Sequence, residues 1–214
     1  MFTTILFDFD GTIADTNQLV FDSWQHLYQA RLGRDGDPEM IQATYGEPLV
    51  TSIAKAFPDF DVAESVAIYR SYQADKYEPE IQPFPGMVDL IQRLWEQGNS
   101  AGVVTSRTGE ATWTGLKKFG LADSVACLIS CDDTTKHKPD PEPILMALDR
   151  MGRTTAGAVY IGDSLYDIRC AHNAGMAAIL VGWTVAVEPD ALTGEDRPEY
   201  LAQTAEELAR ILGL

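Results

Sequence analysis

The sequence predicts an α/β fold: a doubly wound parallel sheet with a small, all-helical insertion after its first strand. Short apolar runs that end in turn residues alternate with stretches of three- and four-residue helical spacing, as expected for right-handed strand–helix–strand units. Between the first apolar run and Glu80, only helical spacing is found. The 214 residues, 45% of them hydrophobic, suffice for a core domain with a smaller domain attached.

The first strand begins at Ile5 and delivers Asp8 and Asp10 into a turn at Gly11. Its run of Ile, Leu and Phe is typical of a strand buried on both faces. Open parallel sheets bind ligands at the carboxyl ends of their strands, which is where both carboxylates lie. Two carboxylates so close together repel each other unless a cation or a shared proton relieves them, and Mg²⁺ prefers such oxygen ligands. A solvated Asp-Gly turn is the alternative interpretation of this stretch alone.

The insertion is predicted to contain helices and no strand between Ala14 and Glu80. Helical spacing leads to a stop at Gly33, and the later segments are expected over 38–45, 49–57 and 62–77. Two prolines at 83 and 85 then mark a boundary. We therefore expect residues 1–15 and 81–214 to form the α/β core and residues 16–80 to form the helical domain.

Strands and helices alternate again after the insertion. The predicted strands cover 101–105, 125–130, 158–161 and 176–181, and the last of these is expected to complete the sheet. The predicted helices cover 86–98, 109–120, 141–151, 166–174 and 205–212.

The composition excludes several classes of partner. With 32 acidic and 16 basic residues the formal charge is −16, which argues against binding to nucleic acid or anionic membranes. No run approaches the ~18 apolar residues of a membrane span, and the N-terminus lacks the pattern of a secretory signal. The three cysteines do not suggest a disulfide framework. We expect a cytoplasmic protein, a monomer or a homodimer.

Polar side chains follow or flank several of the predicted strands. They are Asp8, Asp10, Thr105, Ser106, Asp163 and Asp167. Because parallel strands place their carboxyl ends on one edge of the sheet, we expect these side chains to converge there, together with Lys138. A nucleophile, hydroxyl donors, a lysine and a metal between carboxylates suit phosphoryl transfer.

Four motifs in order make the chain resemble the haloacid dehalogenase-like hydrolases over essentially its whole length. They are DFDGT (8–12), VVTS (103–106), HKPDPEP (137–143) and GDSLYD (162–167). The resemblance implies a Rossmann-like catalytic core, with residues 16–80 as the small helical cap domain of the family. A second aspartate two residues after the first is similar to the phosphatase and phosphomutase branch.

The resemblance also implies roles for the motif aspartates and a Mg²⁺ cofactor. Asp8 would attack phosphorus and form an aspartyl-phosphate. Asp10 would protonate the leaving oxygen, then activate water, and its backbone carbonyl would bind the metal. Asp8 and Asp163 would be further metal ligands, and Asp167 would bind directly or act through another group. On its own, Asp167 can also be explained as a helix-start charge.

The other motif residues are implied to hold the substrate. Thr105 and the backbone amides near Ser106 would bind phosphoryl oxygens, and Lys138 would offset the charge of the phosphate and of the nucleophile. Arg107 stands where lysine or asparagine is often found, and a substrate role is one of two readings. Glu47 lies in the cap turn that faces the site in related proteins, where a solvated turn residue is equally compatible.

Several functions stay open at this point. The first is a magnesium-dependent phosphatase for a small phosphorylated metabolite, similar to phosphoglycolate phosphatases. The alternatives are an inorganic pyrophosphatase, a β-phosphoglucomutase-type phosphomutase and a non-enzymatic phospho-acceptor protein. Residues 16–80 hold five basic against eleven acidic residues. A second anionic group of a substrate must therefore meet either one well-placed side chain, Arg107 or a cap arginine, or a second Mg²⁺ that Glu47 helps to hold.

Overall fold

The central element of the fold is a six-stranded parallel sheet with strand order β5-β4-β1-β6-β7-β8. The computed structural model describes residues 2–214. The strands are β1 (Thr4–Phe7), β2 (Ala14–Asp15), β3 (Gln82–Pro83), β4 (Ser100–Val104), β5 (Cys127–Ile129), β6 (Ala158–Gly162), β7 (Ala177–Val181) and β8 (Tyr200–Ala202). The predicted α/β class with a Rossmann-like core is confirmed.

Helices cover both faces of the sheet. They are α1 (Asn17–Leu32), α2 (Pro38–Gln42), α3 (Leu49–Ala56), α4 (Val62–Ala74), α5 (Tyr77–Glu80), α6 (Met87–Glu96), α7 (Gly109–Lys118), α8 (Glu142–Arg150), α9 (Leu165–Asn173) and α10 (Ala205–Leu212). Side chains of β1 alternate between the two faces, so Ile5 and Phe7 pack with α6, α7 and α10 while Leu6 packs with α8 and α9. This two-sided burial explains why β1 is apolar throughout.

The helices α1–α4 pack around a separate aromatic core. Trp24 stacks on Phe57 with ring centroids 6.4 Å apart and meets Tyr69 edge-on at 5.7 Å. Helix α1 ends at Gly33, whose φ of 64° is the left-handed conformation that glycine adopts without strain. The predicted stop at Gly33 is therefore confirmed.

Two short strands join residues 16–80, called the helical segment below, to the sheet. Strand β2 pairs with β3 in an antiparallel ribbon, Ala14 opposite Pro83 and Asp15 opposite Gln82. The prediction that no strand occurs between Ala14 and Glu80 was wrong for β2. Its two residues carry no periodic signal, because their stabilising partners lie on the far side of the insertion.

The prediction that the sheet ends at 176–181 was also wrong. Strand β8 adds a sixth strand, with Ile179 opposite Tyr200 and Val181 opposite Ala202. Tyr200 is exposed, as suits an edge strand. No helix among residues 2–214 is both long and apolar enough to cross a membrane.

Candidate active site

The candidate active site lies at the carboxyl edge of the sheet, where β1 is flanked by β4 and β6. Phe7 stands opposite Val103 on one side and opposite Ile161 on the other. The residues that follow these positions therefore reach the same level of the edge. In this way the register brings Asp8 beside Thr105 and Asp163, although the three residues are far apart in sequence.

Lys138 is the buried cation at the centre of the site. Its Nζ lies 3.1 Å from Oδ1 of Asp8 and 2.7 Å from Oδ1 of Asp167. Its side chain is only 2% exposed. Tyr160 on β6 completes the group, since its hydroxyl lies 3.3 Å from Lys138 Nζ and donates to the Val104 carbonyl at 2.8 Å. The lysine is thus fixed between two carboxylates, as an ammonium with three donors allows.

Asp167 holds both this lysine and the start of helix α9. Its Oδ2 accepts hydrogen bonds from the backbone nitrogen of Ser164 at 3.0 Å and from the Ser164 hydroxyl at 2.6 Å. Ser164 and Asp167 together form a capping box. Asp167 therefore makes both kinds of contact: it is an acidic residue at the start of a helix, and it pairs with the buried Lys138.

The pKa values in the cluster show an excess of negative charge. Burial raises the pKa of Asp8 to about 7, because attraction to Lys138 does not offset burial together with the repulsion of Asp167. Burial and the repulsion of Asp167 and Asp8 raise the pKa of Asp163 well above its ordinary value. Burial alone would lower the pKa of Lys138, but its two carboxylate partners outweigh burial and raise it.

The acidic side chains fit a divalent cation. Asp8, Asp163 and Asp167 each offer a carboxylate oxygen, and these three oxygens lie within 4.8 Å of one another. When all four carboxylates of the site are ionised they exceed its two basic side chains by two negative charges, which one Mg²⁺ ion would neutralise. Gly11 has a φ of +72°, and a Cβ at this position would overlap the Asp163 carboxylate. Oxygen ligands in this number and charge suit Mg²⁺.

The hydroxyl residues at the end of β4 face the same edge. Thr105 is buried, its Oγ1 accepts a hydrogen bond from the Arg107 backbone nitrogen at 3.2 Å, and its own backbone nitrogen donates to Ile129 on β5. The Ser106 hydroxyl is buried and has no hydrogen-bond partner among residues 2–214. A buried polar atom without a partner is costly, so its presence in a cavity indicates a place for a polar ligand.

Arg107 makes an ion pair with Asp10. Its Nε lies 2.8 Å from Oδ2 and 3.0 Å from Oδ1 of Asp10. Nη1 donates to Oε1 of Gln73 at 3.2 Å, and the guanidinium carbon stands 4.6 Å from the ring centre of Tyr77. Burial would lower the pKa of Arg107, but Asp10 raises it more. Two residues of the helical segment thus hold a core arginine against the proposed proton-transfer residue.

Glu47 is fixed on the inner side of the helical segment. Its carboxylate accepts hydrogen bonds from Ser52 at 2.5 Å and from the Tyr166 hydroxyl at 3.0 Å, and it pairs with Lys55. Burial raises its pKa, but these hydrogen bonds outweigh burial and lower it. Glu47 therefore ties the helical segment to the first turn of helix α9.

A cavity of about 550 Å³ lies between the helical segment and the sheet edge. Asp8, Asp10, Thr105, Arg107 and Glu47 line it. Lys138 and Asp167 lie beneath this surface, in contact with Asp8 or with each other. The volume is in the range of small-molecule sites.

Sequence reasoning missed the residues that support the site. Tyr160 lies inside an apolar strand, and Gln73 and Tyr77 lie on helical faces that serve equally well as core. Their contacts join distant parts of the chain, so no local spacing reveals them. Tyr166, which donates a hydrogen bond to Glu47, is the one supporting residue with a signal in the sequence, because it stands inside the fourth motif.

Comparison with known proteins shows the family of the chain and the similarity of its fold. The family model described as haloacid dehalogenase-like hydrolase matches residues 5–181. The pyrophosphatase PpaX of Halalkalibacterium halodurans is 31% identical over 99% of this chain and 97% of its own length. A solved structure of a predicted phosphatase from Clostridium acetobutylicum superposes with a TM-score of 0.87 at 23% identity, covering 100% of both chains. A predicted phosphoglycolate phosphatase from Haemophilus somnus gives 0.84 at 19% identity, covering 98% of this chain and 97% of the other.

The chain belongs to the haloacid dehalogenase-like hydrolases, because the family model covers most of its length. Within that family it is a phosphatase, as the family model and the relatives indicate. The two solved structures, both under 25% identical, support the fold alone.

Proposed function

We propose that the protein hydrolyses a small phosphate compound with Mg²⁺ through an aspartyl-phosphate on Asp8. The observation that carries this proposal is the contact of Lys138 with Asp8 at the edge of the sheet, beside Asp163 and the end of β4. A carboxylate held by a fixed cation can approach a phosphoryl group with less charge repulsion. Residues 16–80 act in this proposal as the cap that closes the cavity.

Asp8 is the nucleophile. Its Oδ1 accepts from the Phe9 backbone nitrogen at 2.7 Å and faces Lys138, which leaves Oδ2 as the oxygen for attack. Oδ2 forms the bond to phosphorus while the bond from phosphorus to the leaving oxygen breaks. Thr105 and Ser106 bind phosphoryl oxygens as negative charge develops on them, and Lys138 balances part of that charge.

Asp10 transfers the protons. In its protonated form Asp10 gives a proton to the leaving oxygen; as a carboxylate it then takes one from the water that attacks phosphorus, and the bond from phosphorus to Asp8 breaks to restore the Asp8 carboxylate. Asp8, Asp163 and the Asp10 backbone carbonyl would hold Mg²⁺, and Asp167, which accepts hydrogen bonds from Lys138 and Ser164, would bind it directly or act through Lys138. A bound Mg²⁺ supplies charge that neutralises the phosphoryl oxygens.

The substrate is proposed to be short and to carry a second anionic group. Arg107 places one cation in the cavity beside Asp10, where a leaving group would lie. Phosphoglycolate and inorganic pyrophosphate both have this form. The sequence alone favoured phosphoglycolate as the substrate. Because relatives are named pyrophosphatase PpaX, we rank pyrophosphate first. Phosphate also leaves more readily than an alkoxide, so pyrophosphate needs less help from an acid that is already paired with an arginine.

Steady-state kinetics on a substrate panel tests the proposal. The panel contains pyrophosphate, phosphoglycolate, hexose phosphates, nucleoside monophosphates and p-nitrophenyl phosphate, each with and without Mg²⁺. We expect kcat/KM for pyrophosphate or phosphoglycolate to exceed that for nucleotides by at least about tenfold, since one methylene-sized mismatch alone costs about that much in a fitted pocket. A nucleotide as best substrate, by the same margin, would contradict the proposed size limit.

The variant Asp8→Asn tests the nucleophile. It keeps the shape of the side chain but should lower kcat by several orders of magnitude, roughly 10⁴ or more. Asp149→Asn, at an exposed position of helix α8, is the matched control and should keep kcat. Activity of Asp8→Asn within about tenfold of the unmodified enzyme would rule out the aspartyl-phosphate.

A further inference from the structure

Arg107 is the cavity residue whose contacts the proposed chemistry leaves unexplained. Its side chain is 10% exposed and makes its ion pair inside the cavity, with Asp10, whose side chain is 30% exposed. A proton-transfer residue bound through both oxygens to a guanidinium is not free to reach a leaving oxygen. The Arg107–Asp10 pair therefore represents the resting site. Turnover requires that Asp10 leave Arg107 and that another group bind the guanidinium.

The helical segment determines where Arg107 lies. Gln73 on α4 accepts a hydrogen bond from Nη1, and its own Nε2 donates to the buried Ser23 hydroxyl at 3.1 Å. The ring of Tyr77 on α5 packs against one face of the guanidinium. Arg107 is thus held from the helical side through one terminal nitrogen and one face, while its Nε binds Asp10.

We propose that the second anionic group of the substrate takes the place of Asp10 on Arg107, so that binding of the correct substrate frees Asp10 for proton transfer. Gln73 and Tyr77 are the positioning residues of this exchange. The inference rests on the proposed phosphatase function and adds to it the group that selects the substrate.

The chemistry of the exchange favours carboxylate and phosphate over neutral groups. A guanidinium presents planar, paired donors that match both anions. Because the Arg107 charge is buried, only another anion can replace Asp10 there without a large desolvation cost. A simple monoester brings no such group, so with it Asp10 stays bound and turnover is slow. Discrimination between substrates with and without the second anionic group then affects kcat as well as KM.

Arg70 is the competing receptor, because it also lines the cavity. It lies on the same helix as Gln73 but is exposed, whereas Arg107 is fixed by buried contacts. Replacing each arginine separately by methionine keeps the aliphatic length and removes the charge. The pair Arg107→Met and Arg70→Met is therefore a matched comparison.

The experiment measures kcat and KM for two pairs of substrates that differ in the second anion. Phosphoglycolate is compared with ethyl phosphate, and pyrophosphate with acetyl phosphate, so that alkyl and activated leaving groups are each matched. For the unmodified enzyme we expect kcat/KM to favour the member with the second anionic group in at least one pair by roughly 10², the cost of leaving a buried charge without its partner. Arg107→Met should reduce this ratio to within about threefold, and kcat for ethyl or acetyl phosphate should rise, because Asp10 is then no longer paired with an arginine.

Gln73→Met provides a second variant should Arg107→Met not fold. It retains Arg107 and Asp10 but removes one anchor, so the ratio should fall by a smaller factor and mainly through KM. An equal loss on both members of a pair would show that Arg107 is only structural and would overturn the inference. Collapse of the ratio in Arg70→Met instead would assign the anion to Arg70, with the same consequence.

Failure of the wider proposal looks different. If the unmodified enzyme hydrolyses none of the four compounds with Mg²⁺, or if Asp8→Asn keeps its activity, the phosphatase chemistry itself is wrong. If it hydrolyses both members of each pair equally well, the phosphatase stands and the exchange at Arg107 does not.

Discussion

Replacing Lys138 by methionine should cost more stability than replacing any exposed lysine of the chain. The side chain is 2% exposed and lies 2.7 Å from Asp167 and 3.1 Å from Asp8. Methionine has a similar length and leaves little empty volume, so the main effect is the loss of the cation from between two buried carboxylates. Breaking a buried pair in this way costs about 3–5 kcal/mol.

The assay is urea or thermal unfolding of the two proteins side by side. For a chain of this size a loss of about 3–5 kcal/mol lowers Tm by roughly 6–20 °C. Lys136→Met is the control. Lys136 pairs with Asp140 at 3.3 Å, but its side chain is 66% exposed. An exposed pair contributes less than about 1 kcal/mol, so this variant should unfold nearly as the unmodified protein does.

Equal losses for the two variants would refute the reasoning, because burial would then add nothing to the ion pair. A large loss for Lys138→Met alone would support it. The double variant Lys138→Met with Asp167→Asn should recover part of the stability, since it removes one of the carboxylates left without a partner.

Three further variants test other parts of the site. Asp10→Asn should slow turnover by roughly 10² to 10⁴, and less for p-nitrophenyl phosphate than for an alkyl phosphate because an activated leaving group needs less protonation; equal slowing would mean that protonation of the leaving group is not its limiting role. Gly46→Val should raise KM by about tenfold in steady-state assays and also lower Tm, since Gly46 has a φ of +80° that strains a β-branched residue and a Cβ there would overlap Ser164; an unchanged KM would mean that this close approach is not needed for binding. For Glu47→Gln the loss in Tm should be present at pH 7 and shrink as the pH falls below the ordinary value of 4.5, because a lowered pKa in the folded protein stabilises it only while the group is ionised. A loss in Tm that does not change with pH would point to packing instead.

The sequence was informative wherever an element is defined by its own residues. The apolar runs of β1, β4, β6 and β7 lie close to their predicted positions, and helix α10 has the predicted bounds, Ala205–Leu212. These elements are buried by the same residues that form them. Strand β8 and the ribbon of β2 and β3 were missed because they have two or three residues each and depend on pairing with distant segments.

The same distinction applies to the site. That Asp8, Thr105 and Asp163 share one edge follows from parallel topology, which the alternation of strands and helices predicts. The pairing of Arg107 with Asp10, and the support of Arg107 by Gln73, depend on how the helical segment lies over the sheet. No spacing in the sequence encodes that orientation. Arg107 could therefore be identified as a candidate site residue, but its contacts with Asp10 and Gln73 could not be predicted.

The ribbon of β2 and β3 places the two ends of the helical segment side by side. Phe84 donates a backbone hydrogen bond to the Ile13 carbonyl at 2.9 Å, just where the ribbon meets the sheet. The chain therefore leaves the sheet and returns to it at nearly one point, as it would through a tight hairpin. A segment attached in this way can be exchanged for a longer, shorter or unrelated one without moving any strand of the sheet. The sheet edge and the helical residues that line the cavity can thus change separately, except where Gln73 and Tyr77 contact Arg107.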